Sequence, residues 1–306
     1  MGIKNLNAFL KSSVPEALIE VPISTFSGNR LAIDTFHWFH ANISVATKEA
    51  VQKLDVVGGE SPNRLKVFSI LMRNCFAKIK QLLKVKIIPV FVFDGVSPVE
   101  KEQTKEDRKQ NKLDRKQQIE QIRATLLGIA EINRPTELVD KLRTLVGQDI
   151  HFSEYEISGI KEILHSLGLP FIQAKGEAEQ AGAALCREGY CFGLWTTDTD
   201  SLAHGVPFQI REITQQRVNP QTGIKEAYLC ITSLPIILQK LNFSMEMWQD
   251  YCIACGTDYN PNMPDKSSKR CFDLIKQYRR IERFPSNLPI QILNHYRGRQ
   301  DRKSVV

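Results

Sequence analysis

The chain alternates short, almost continuously apolar runs with longer stretches in which apolar residues recur every three or four positions. The short runs are Arg30–Ile33, Ile87–Phe93, Leu169–Ile172 and Cys191–Trp195. Runs of this kind are typical of parallel strands that are buried on both faces of a sheet. The longer stretches, among them Leu65–Leu83 and Ile157–Leu167, have the period of amphipathic helices. This alternation predicts an α/β fold with a mainly parallel central sheet flanked by helices.

Acidic residues stand at or shortly after the ends of the predicted strands. A carboxylate in that position lies at the edge of the sheet where open α/β folds bind their ligands. Two more acids precede a small-residue helix, and one follows an apolar stretch near the C-terminus. The seven acids are Asp34, Asp94, Glu177, Glu179, Asp198, Asp200 and Asp258. The sequence therefore predicts that these carboxylates converge on one site.

Each acid also has an ordinary structural explanation, because an Asp after a strand is often a helix N-cap or a turn residue. As a group, however, they would repel one another strongly unless cations neutralised their charge. Ligands that offer only oxygen favour Mg²⁺, with Mn²⁺ as a substitute, over Zn²⁺. Two such ions about 3.5–4 Å apart would generate hydroxide and stabilise the attacking and leaving oxygens of phosphoryl transfer. We therefore expect a two-ion site.

Two pairs of acids differ in how they can share such a site. Asp198 and Asp200 point to one face only where the backbone is extended. Glu177 and Glu179 would diverge on a regular helix. We expect one member of the second pair to bind metal directly and the other to act through water, and the sequence leaves open which is which.

A predicted helix after Asp94 carries cations on one side. The basic residues recur at alternating steps of four and three, and they are Lys101, Lys105, Arg108, Lys112 and Arg115. A helix without an apolar face projects into solvent instead of packing into a core. The alternative is a solvated helix balanced by acids, which predicts both signs of charge on every face. A stripe of a single sign indicates phosphate binding.

The pattern becomes amphipathic from Ile119 onward. Pro135 interrupts it, and a second amphipathic run continues to about Leu145. The whole segment is therefore interpreted as a long helical insertion between strands.

Composition adds two constraints. Lys and Arg outnumber Asp and Glu 41 to 34, for a formal net charge of +7, which favours a polyanionic partner. The seven cysteines are an odd number in a long chain without a secretory signal, so free thiols in a reducing compartment are expected. Cys252 and Cys255 form a C-x-x-C in an apolar stretch and are interpreted as buried structural residues, not zinc ligands. No window has the apolar length of a membrane span.

Six short blocks occur in the order found in the flap endonuclease and exonuclease-one family, which is part of the xeroderma pigmentosum group G-like superfamily. The blocks are Met1–Leu6, Ala32–Thr35, Val92–Gly95, Gly176–Glu179, Thr197–Asp200 and Gly256–Tyr259. The resemblance extends from Met1 to about Ile281. It implies a PIN-like nuclease core, and it implies that the seven acids named above are the metal-site carboxylates.

The same resemblance gives roles to the basic helix and to one aromatic position. In the family, the helical insertion is an arch through which the 5′ end of one strand passes. Lys101 and Arg108 match the cations near its base that stabilise charge developing on the scissile phosphate. His40 stands where relatives have a Tyr or His that stacks on a base beside the cut. The alternative for His40 is packing in a partly buried aromatic cluster.

One region departs from the family. Relatives carry a Gly-x-Gly turn between two helices, which holds a monovalent cation and lets backbone amides approach a duplex phosphate. The aligned residues here are Asp265, Lys266 and Ser267. We therefore expect an altered helix-turn-helix-like element near the C-terminus, in which Lys266 and Lys269 compensate in part.

The expected organisation is a single nuclease domain over residues 1–306. It divides into an N-terminal nuclease region (1–95), the helical arch (96–150), an internal nuclease region (151–260) and a C-terminal region of the altered element and a basic tail (261–306).

The resemblance implies a metal-dependent nuclease that cuts DNA at 5′ flaps, nicks or free 5′ ends in replication, repair or recombination. Flap endonuclease, 5′→3′ exonuclease and activity on RNA stay open. An inactive nucleic-acid-binding scaffold would have lost acids, and a small-molecule phosphatase would lack the basic stripe. We expect a monomer that acts in the nucleus, or a viral protein, with no membrane association. No sliding-clamp-binding pattern is found.

The altered turn predicts weaker anchoring of duplex DNA, little selectivity for K⁺ and more distributive cleavage than in typical relatives. Glycine accepts positive φ and leaves room for a phosphate, whereas Asp265 adds a negative charge there. The measurement is duplex affinity in K⁺ and in a larger monovalent cation at equal ionic strength, for the unmodified chain and for Asp265→Gly/Ser267→Gly. Strong K⁺-selective binding by the unmodified chain, or no effect of the glycines, contradicts this interpretation.

Overall fold

A computed structural model describes residues 2–96, 102–148, 152–257, 260–264, 267–293 and 295. Within these residues, the side chains at 102–105, 107, 108, 291 and 292 are not described. Among the predicted site residues, Lys101, Asp258 and Lys266 lie outside the described residues, as do the side chains of Lys105 and Arg108.

Seven strands form the central sheet. They are β1 (Leu18–Pro22), β2 (Arg30–Asp34), β3 (Ile88–Phe93), β4 (Phe171–Gln173), β5 (Gly193–Trp195), β6 (Phe208–Ile213) and β9 (Tyr228–Ser233). Their order is β1-β9-β6-β5-β2-β3-β4, and a separate two-stranded ribbon pairs β7 (Arg217–Val218) with β8 (Lys225–Glu226). The strands from β6 to β4 pair in parallel, whereas β9 is antiparallel to both β6 and β1.

The four predicted strands are confirmed as β2, β3, β4 and β5, which are neighbours in the parallel part of the sheet. The other three strands were not predicted. Polar residues interrupt β1 at Glu20 and β6 at Arg211 and Glu212; no residue of β1 is buried, and β6 is buried only at Gln209 and Ile210. Strands that are half exposed lack the continuous apolar run that marks a strand buried on both faces.

The described residues also form α-helices in both parts of the chain, before, between and after the strands. They are α1 (Leu6–Ser13), α2 (Thr35–Val51), α3 (Arg64–Lys84), α4 (Glu102–Leu127), α5 (Thr136–Gln148), α6 (Glu154–Ser166), α7 (Ala178–Arg187), α8 (Asp200–Ala203), α9 (Leu234–Leu241), α10 (Met245–Cys255) and α11 (Ser268–Tyr278). The helices predicted at Leu65–Leu83 and Ile157–Leu167 are confirmed as α3 and α6. Within the described part of the chain, no helix is both long and apolar enough to cross a membrane.

The chain separates into two compact units. The first contains Met1–Thr35, Leu82–Lys101 and Leu169–Val306, and the second contains Phe36–Gln81 and Glu102–Gly168. The sheet belongs to the first unit, and the second unit is helical. The four regions expected from the sequence, 1–95, 96–150, 151–260 and 261–306, stay a prediction.

Two apolar clusters stabilise the first unit. In one, Ala32, Val92 and Leu194 of the parallel strands pack against the small residues of α7. The approach is close, since a Cβ atom on Gly182 of α7 would lie 2.7 Å from Leu194 Cδ1. The other cluster joins α1, α10 and α11, with Trp248 fully buried at its centre. Helix α7 is thereby fixed against the strands that carry the predicted acids.

The second unit contains the predicted helical insertion. The second half of α4 packs through Ile119 and Leu126 against Leu142 and Val146 of α5. Pro135 lies between the two helices, as predicted, since α4 ends at Leu127 and α5 begins at Thr136. The first half of α4 is largely exposed where its side chains are described. The sequence therefore predicted correctly which half of the insertion is amphipathic.

Helices α10 and α11 form the expected C-terminal helix pair. Ser267 is the N-cap of α11, and its Oγ accepts a hydrogen bond from the backbone N–H of Arg270 at 3.3 Å. Ser267 thus satisfies an N–H group at the helix end that a glycine would leave without a side-chain partner.

The cysteines are free thiols, and all but Cys230 are buried. Cys252 and Cys255 lie in the apolar face of α10, which confirms their interpretation as buried structural residues. Burial raises the pKa of the Cys255 thiol well above its usual value. A protonated, buried thiol packs as a small apolar side chain.

Candidate metal centre

Thr196 joins the ends of two neighbouring parallel strands. Asp34 is the last residue of β2, and Thr196 follows β5 directly. The Thr196 hydroxyl donates a hydrogen bond to Asp34 Oδ2 at 3.1 Å and accepts one from the backbone N–H of Asp198 at 3.1 Å. The two strands are in register next to this point, where Ile33 pairs with Trp195. One hydroxyl therefore positions both Asp34 and the start of the Asp198 turn.

Asp198 and Asp200 lie in a tight turn rather than in extended backbone. The backbone N–H of Asp200 donates to Asp198 Oδ1 at 3.1 Å. The carbonyl oxygen of Asp198 accepts hydrogen bonds from Ser201 Oγ at 2.8 Å and from Gln209 Nε2 at 2.7 Å. These contacts fix the turn from both sides. The backbone between them is therefore not the extended one that would place both side chains on one face, since Thr199 has helical dihedrals and Asp200 begins α8.

Asp94 lies beyond the end of β3, close to the acids at the start of α7. Asp94 Oδ1 accepts a hydrogen bond from the backbone N–H of Ala178 at 2.7 Å, and Gln173 donates its side-chain amide to the Asp94 carbonyl oxygen. Glu177 is the N-cap residue of α7 in extended backbone, and Glu179 is in its first turn. Asp94 is thus held beside Glu177.

Gly95 makes this approach of two backbone segments possible. Its N–H donates to the Gly176 carbonyl at 2.6 Å, and the N–H of Val96 donates to the Lys175 carbonyl at 3.0 Å. A Cβ atom at position 95 would lie 2.5 Å from the Lys175 carbonyl oxygen. A side chain there would push the segment after β3 away from the segment after β4, and Asp94 with it.

Four of the predicted ligands are buried. The exposed fractions are 4% for Asp34, 8% for Glu177, 5% for Asp198 and 2% for Asp200, whereas Asp94 is exposed and Glu179 is partly buried. An ionised carboxylate that is removed from water requires hydrogen bonds or a nearby cation. Hydrogen bonds from Thr196 and from the Asp200 N–H meet part of this requirement at Asp34 and Asp198.

Capping contacts and metal binding are compatible at these acids. Asp94 and Asp198 each use one oxygen to accept a backbone N–H at the start of a short helix, as an ordinary N-cap does. A carboxylate has about four lone-pair sites, so each retains acceptor capacity. Oxygen donors alone suit Mg²⁺ or Mn²⁺. The residues present therefore fit a hard divalent cation.

The described acids are not gathered around a single point. Hydrogen bonds link Asp34 to the Asp198 turn through Thr196, and they place Asp94 beside Glu177. Within the described residues, which exclude Asp258, no three His, Cys, Asp or Glu side chains form a group that could hold a metal ion. The assignment of all seven acids as ligands stays a prediction.

The backbone of Gly2 contacts this site, a role that sequence reasoning missed. Gly2 has φ +98°, and a Cβ atom there would lie 2.5 Å from Thr199 Oγ1 and would collide with Asp198 Oδ1. The next residue continues the contact, because the Ile3 N–H donates to Thr199 Oγ1 at 2.8 Å. The only signal was the first of the six blocks, Met1–Leu6. Thr196, Thr199 and Gln209 were also missed, since a single polar residue after a strand, or within one as at Gln209 in β6, does not by itself predict a contact.

The predicted nucleic-acid-binding residues that are described have different surroundings. In the second unit, His40 is exposed whereas Trp38 and Phe39 are buried, and the His40 ring lies 5.5 Å from the Phe152 ring, edge to face. Lys112 is partly buried, and Arg115 donates to the Gln148 carbonyl at 3.0 Å. Lys269 is exposed near the start of α11. None of these positions contradicts the predicted role.

Taken together, a mainly parallel sheet, acids after successive strands and an inserted helical pair define a nuclease core of the PIN-like class. Two family models match the chain: the XPG N-terminal domain over residues 1–115 and the XPG I-region over residues 168–258. The chain belongs to the flap endonuclease and XPG superfamily.

Relatives named Flap endonuclease 1 cover most of this chain. The protein from Cryptosporidium parvum (strain Iowa II) is 29% identical over 299 residues, which is 94% of this chain and 56% of the relative. The protein from Cryptosporidium muris (strain RN66) is 30% identical over 288 residues, which is 92% of this chain and 57% of the relative. The chain thus spans somewhat more than half the length of these relatives.

Solved structures agree on the fold. The catalytic core of Rad2 in complex with DNA substrate aligns over 100% of this chain and 76% of its own, with a TM-score of 0.59 and 18% identity. Flap endonuclease-1 from Methanococcus jannaschii aligns over 90% of this chain and 77% of its own, with a TM-score of 0.53 and 20% identity.

We predict that Gly2→Ala impairs the acid site. The added methyl group collides with the Asp198 carboxylate and imposes strain of about 1–2 kcal/mol from the left-handed backbone. The expected result is weaker binding of a divalent cation at the acid site, measured by titration with Mg²⁺. Gly28→Ala is the matched control, since Gly28 also has positive φ (+80°) but no neighbour within 4 Å of an added Cβ. An equal effect of both substitutions, or none at position 2, contradicts the prediction.

Proposed function

We propose that this protein is a magnesium-dependent, structure-specific 5′ nuclease that hydrolyses DNA phosphodiester bonds at junctions of single and double strand. The observation that carries the proposal is the Thr196 link between Asp34 and the Asp198 turn at the carboxyl ends of adjacent parallel strands. Membership of the superfamily supports it, as do relatives named flap endonucleases and a similar fold in a protein bound to DNA substrate.

The acids would hold two divalent ions, with Mg²⁺ proposed and Mn²⁺ as a substitute. When bound, such ions supply activated water and stabilise the oxygens that attack and leave the phosphorus. Asp34, Asp198 and Asp200 form one part of the proposed ligand set, and Asp94, Glu177 and Glu179 form the other. Asp258 completes it through the family resemblance. No protein nucleophile is required, so the side chains act as ligands and as orienting groups.

Neighbouring residues keep those ligands in place. Thr196 orients Asp34, while Ser201 and Gln209 fix the main chain of Asp198. Asp94 is oriented by the Ala178 N–H. A carboxylate that is fixed before metal binds loses little freedom on binding, and its position relative to the phosphate is set in advance.

The arch residues would act on the nucleic acid itself. Lys101 and Arg108 are proposed to stabilise charge on the scissile phosphate, and Lys105, Lys112 and Arg115 to bind the strand that passes through the arch. His40 is proposed to stack on a base beside the cut, and its exposed ring supports this role. Lys266 and Lys269 would contact duplex phosphates. The protein would act as a monomer in the nucleus, or as a viral protein on DNA.

The proposal predicts that Asp94→Ala or Asp198→Ala lowers Mg²⁺-dependent cleavage by roughly 10³-fold or more, about 4 kcal/mol of activation free energy, and leaves DNA affinity largely intact. The measurement uses matched 5′-flap, nicked, blunt and RNA-containing substrates, and product lengths separate flap cleavage from exonuclease activity. Asp273→Ala, an exposed acid on α11, is the control. Full activity in either variant, or no cleavage of any substrate by the unmodified protein, overturns the proposal.

We predict that some of the arch cations act on the cleavage rate and others on DNA binding. Lys101→Ala and Arg108→Ala should lower the cleavage rate even with saturating DNA. Lys112→Ala and Arg115→Ala should mainly weaken binding and reduce the salt dependence of log K by about one unit per lost phosphate contact. Arg115→Ala should in addition lower thermal stability slightly, because it removes the hydrogen bond to Gln148. Equal, purely affinity-based losses at all four positions would contradict a catalytic role.

A further inference from the structure

Helix α3 carries only positive charge along its whole length. Its 21 residues contain six basic residues and no acid, and the basic residues are Arg64, Lys66, Arg73, Lys78, Lys80 and Lys84. No oppositely charged pair within the helix can therefore offset the repulsion among them, although pairs at spacings of three or four residues are the usual way a charged helix is stabilised.

Two of the six charges also oppose the helix dipole. Arg64 and Lys66 lie in the first turn, which contains no acid. The N-terminal end of a helix carries a partial positive charge, so cations there are unfavourable by roughly 0.3–1 kcal/mol each at low salt. Arg64 and Lys66 therefore do not stabilise α3 by themselves, whereas Lys84 in the last turn has the favourable sign.

Some of the six basic side chains form ion pairs or hydrogen bonds with other side chains of the protein. Arg64 pairs with Glu156 at 2.7 Å, and the Lys78 ammonium donates to Asn42 at 2.8 Å. Arg73 pairs with Glu49 at 2.9 Å, but both side chains are largely exposed, at 63% and 48%. A pair as exposed as this contributes little and is readily replaced by another anion. For Lys66 and Lys80, which are exposed, the described part of the protein provides no ion pair.

The available cations lie on one face of α3 in the second unit. Lys66, Arg73 and Lys80 are spaced by seven residues, so they drift by only about 20° per step around the helix. Val67 and Leu71 are buried, and they lie on a different face of the helix from these cations. From Lys66 to Lys80 the face extends about 21 Å, at 1.5 Å per residue.

We propose that this face of α3 binds the phosphate backbone of the duplex part of the DNA substrate, in addition to the arch and the C-terminal helix pair. The inference rests on the proposed nuclease function. Duplex DNA advances about 3.4 Å per base pair, so the face has the length of about six base pairs. Charge complementarity selects this partner, since exposed cations at regular spacing are an electrostatic match for a regular polyanion, which can replace Glu49 at Arg73.

The alternatives are a solvated helix with no ligand and an anionic membrane surface. A solvated helix usually mixes both signs of charge, as α4 does where the Lys109 ammonium pairs with Glu106 at 3.6 Å. A membrane-binding helix would present apolar residues beside its cations. Three large apolar side chains of α3 are exposed, Leu65 by 81%, Phe76 by 36% and Leu83 by 45%, but they are at least seven residues apart and form no continuous apolar stripe. The face is therefore better suited to phosphates than to lipid.

The test is the variant Lys66→Ala/Lys80→Ala, with binding of a blunt duplex measured over a range of salt concentrations in a metal chelator. We expect affinity to fall roughly tenfold or more near 0.1 M salt, and the slope of log K against log salt to decrease by about two units, near 0.9 per lost contact. Lys66→Arg/Lys80→Arg should bind as the unmodified protein does. Lys11→Ala/Lys240→Ala removes the same charge from exposed positions on α1 and α9 and should leave the slope unchanged.

Three results would overturn the proposal. They are an unchanged slope in Lys66→Ala/Lys80→Ala, an equal loss in the control variant, and equally strong binding of the unmodified protein to phosphatidylserine vesicles. The thermal midpoint of the alanine variant should be unchanged or higher, because two repelling charges are removed; a lower midpoint would indicate a structural role instead. Binding is measured without metal, so a protein that binds through α3 but cleaves nothing contradicts the proposed function and not this surface.

Discussion

Parallel pairing of neighbouring strands is the constraint on which the acid site depends. Because β2 and β5 run side by side in register, their carboxyl ends finish at the same level, and Thr196 reaches Asp34 with a single hydrogen bond. The pairing of β3 with β4 does the same for Asp94 and the start of α7. A shift of one residue in either register would turn these side chains to the opposite face of the sheet. The apolar strands thus determine where the charged groups lie.

Glycine positions allow the segments beyond the strands to come close enough. Gly95 lets the chain after β3 hydrogen-bond to the chain after β4, and Gly2 lets the N-terminal segment contact the turn of Asp198. In both places only glycine fits, since even a methyl group would collide with a carbonyl or a carboxylate. Such contacts make the site sensitive to residues that carry no functional group themselves.

Much of the parallel part of the fold could be predicted from the sequence. Residues 31–33 of β2, 89–93 of β3 and 193–195 of β5 form continuous apolar runs because they are buried on both faces of the sheet, and α6 repeats its apolar residues at helical spacing. Strands β1 and β6 could not be predicted, because half-exposed strands admit polar residues such as Glu20 and Arg211. The N-cap role of Ser267 in α11 was not predicted either.

For the site, the sequence by itself determined which residue types are available and near which strand ends they stand, because those depend on local order along the chain. Only the tertiary structure decided which of them meet. Thr196, Gln209 and Gly2 contact the Asp34–Asp198 region from distant positions in the sequence, and each contact is set by the packing of whole elements. Likewise, Arg64 and Arg73 become paired while Lys66 and Lys80 stay exposed because α2 and α6 lie against only part of α3. Local sequence contains no information about such neighbours.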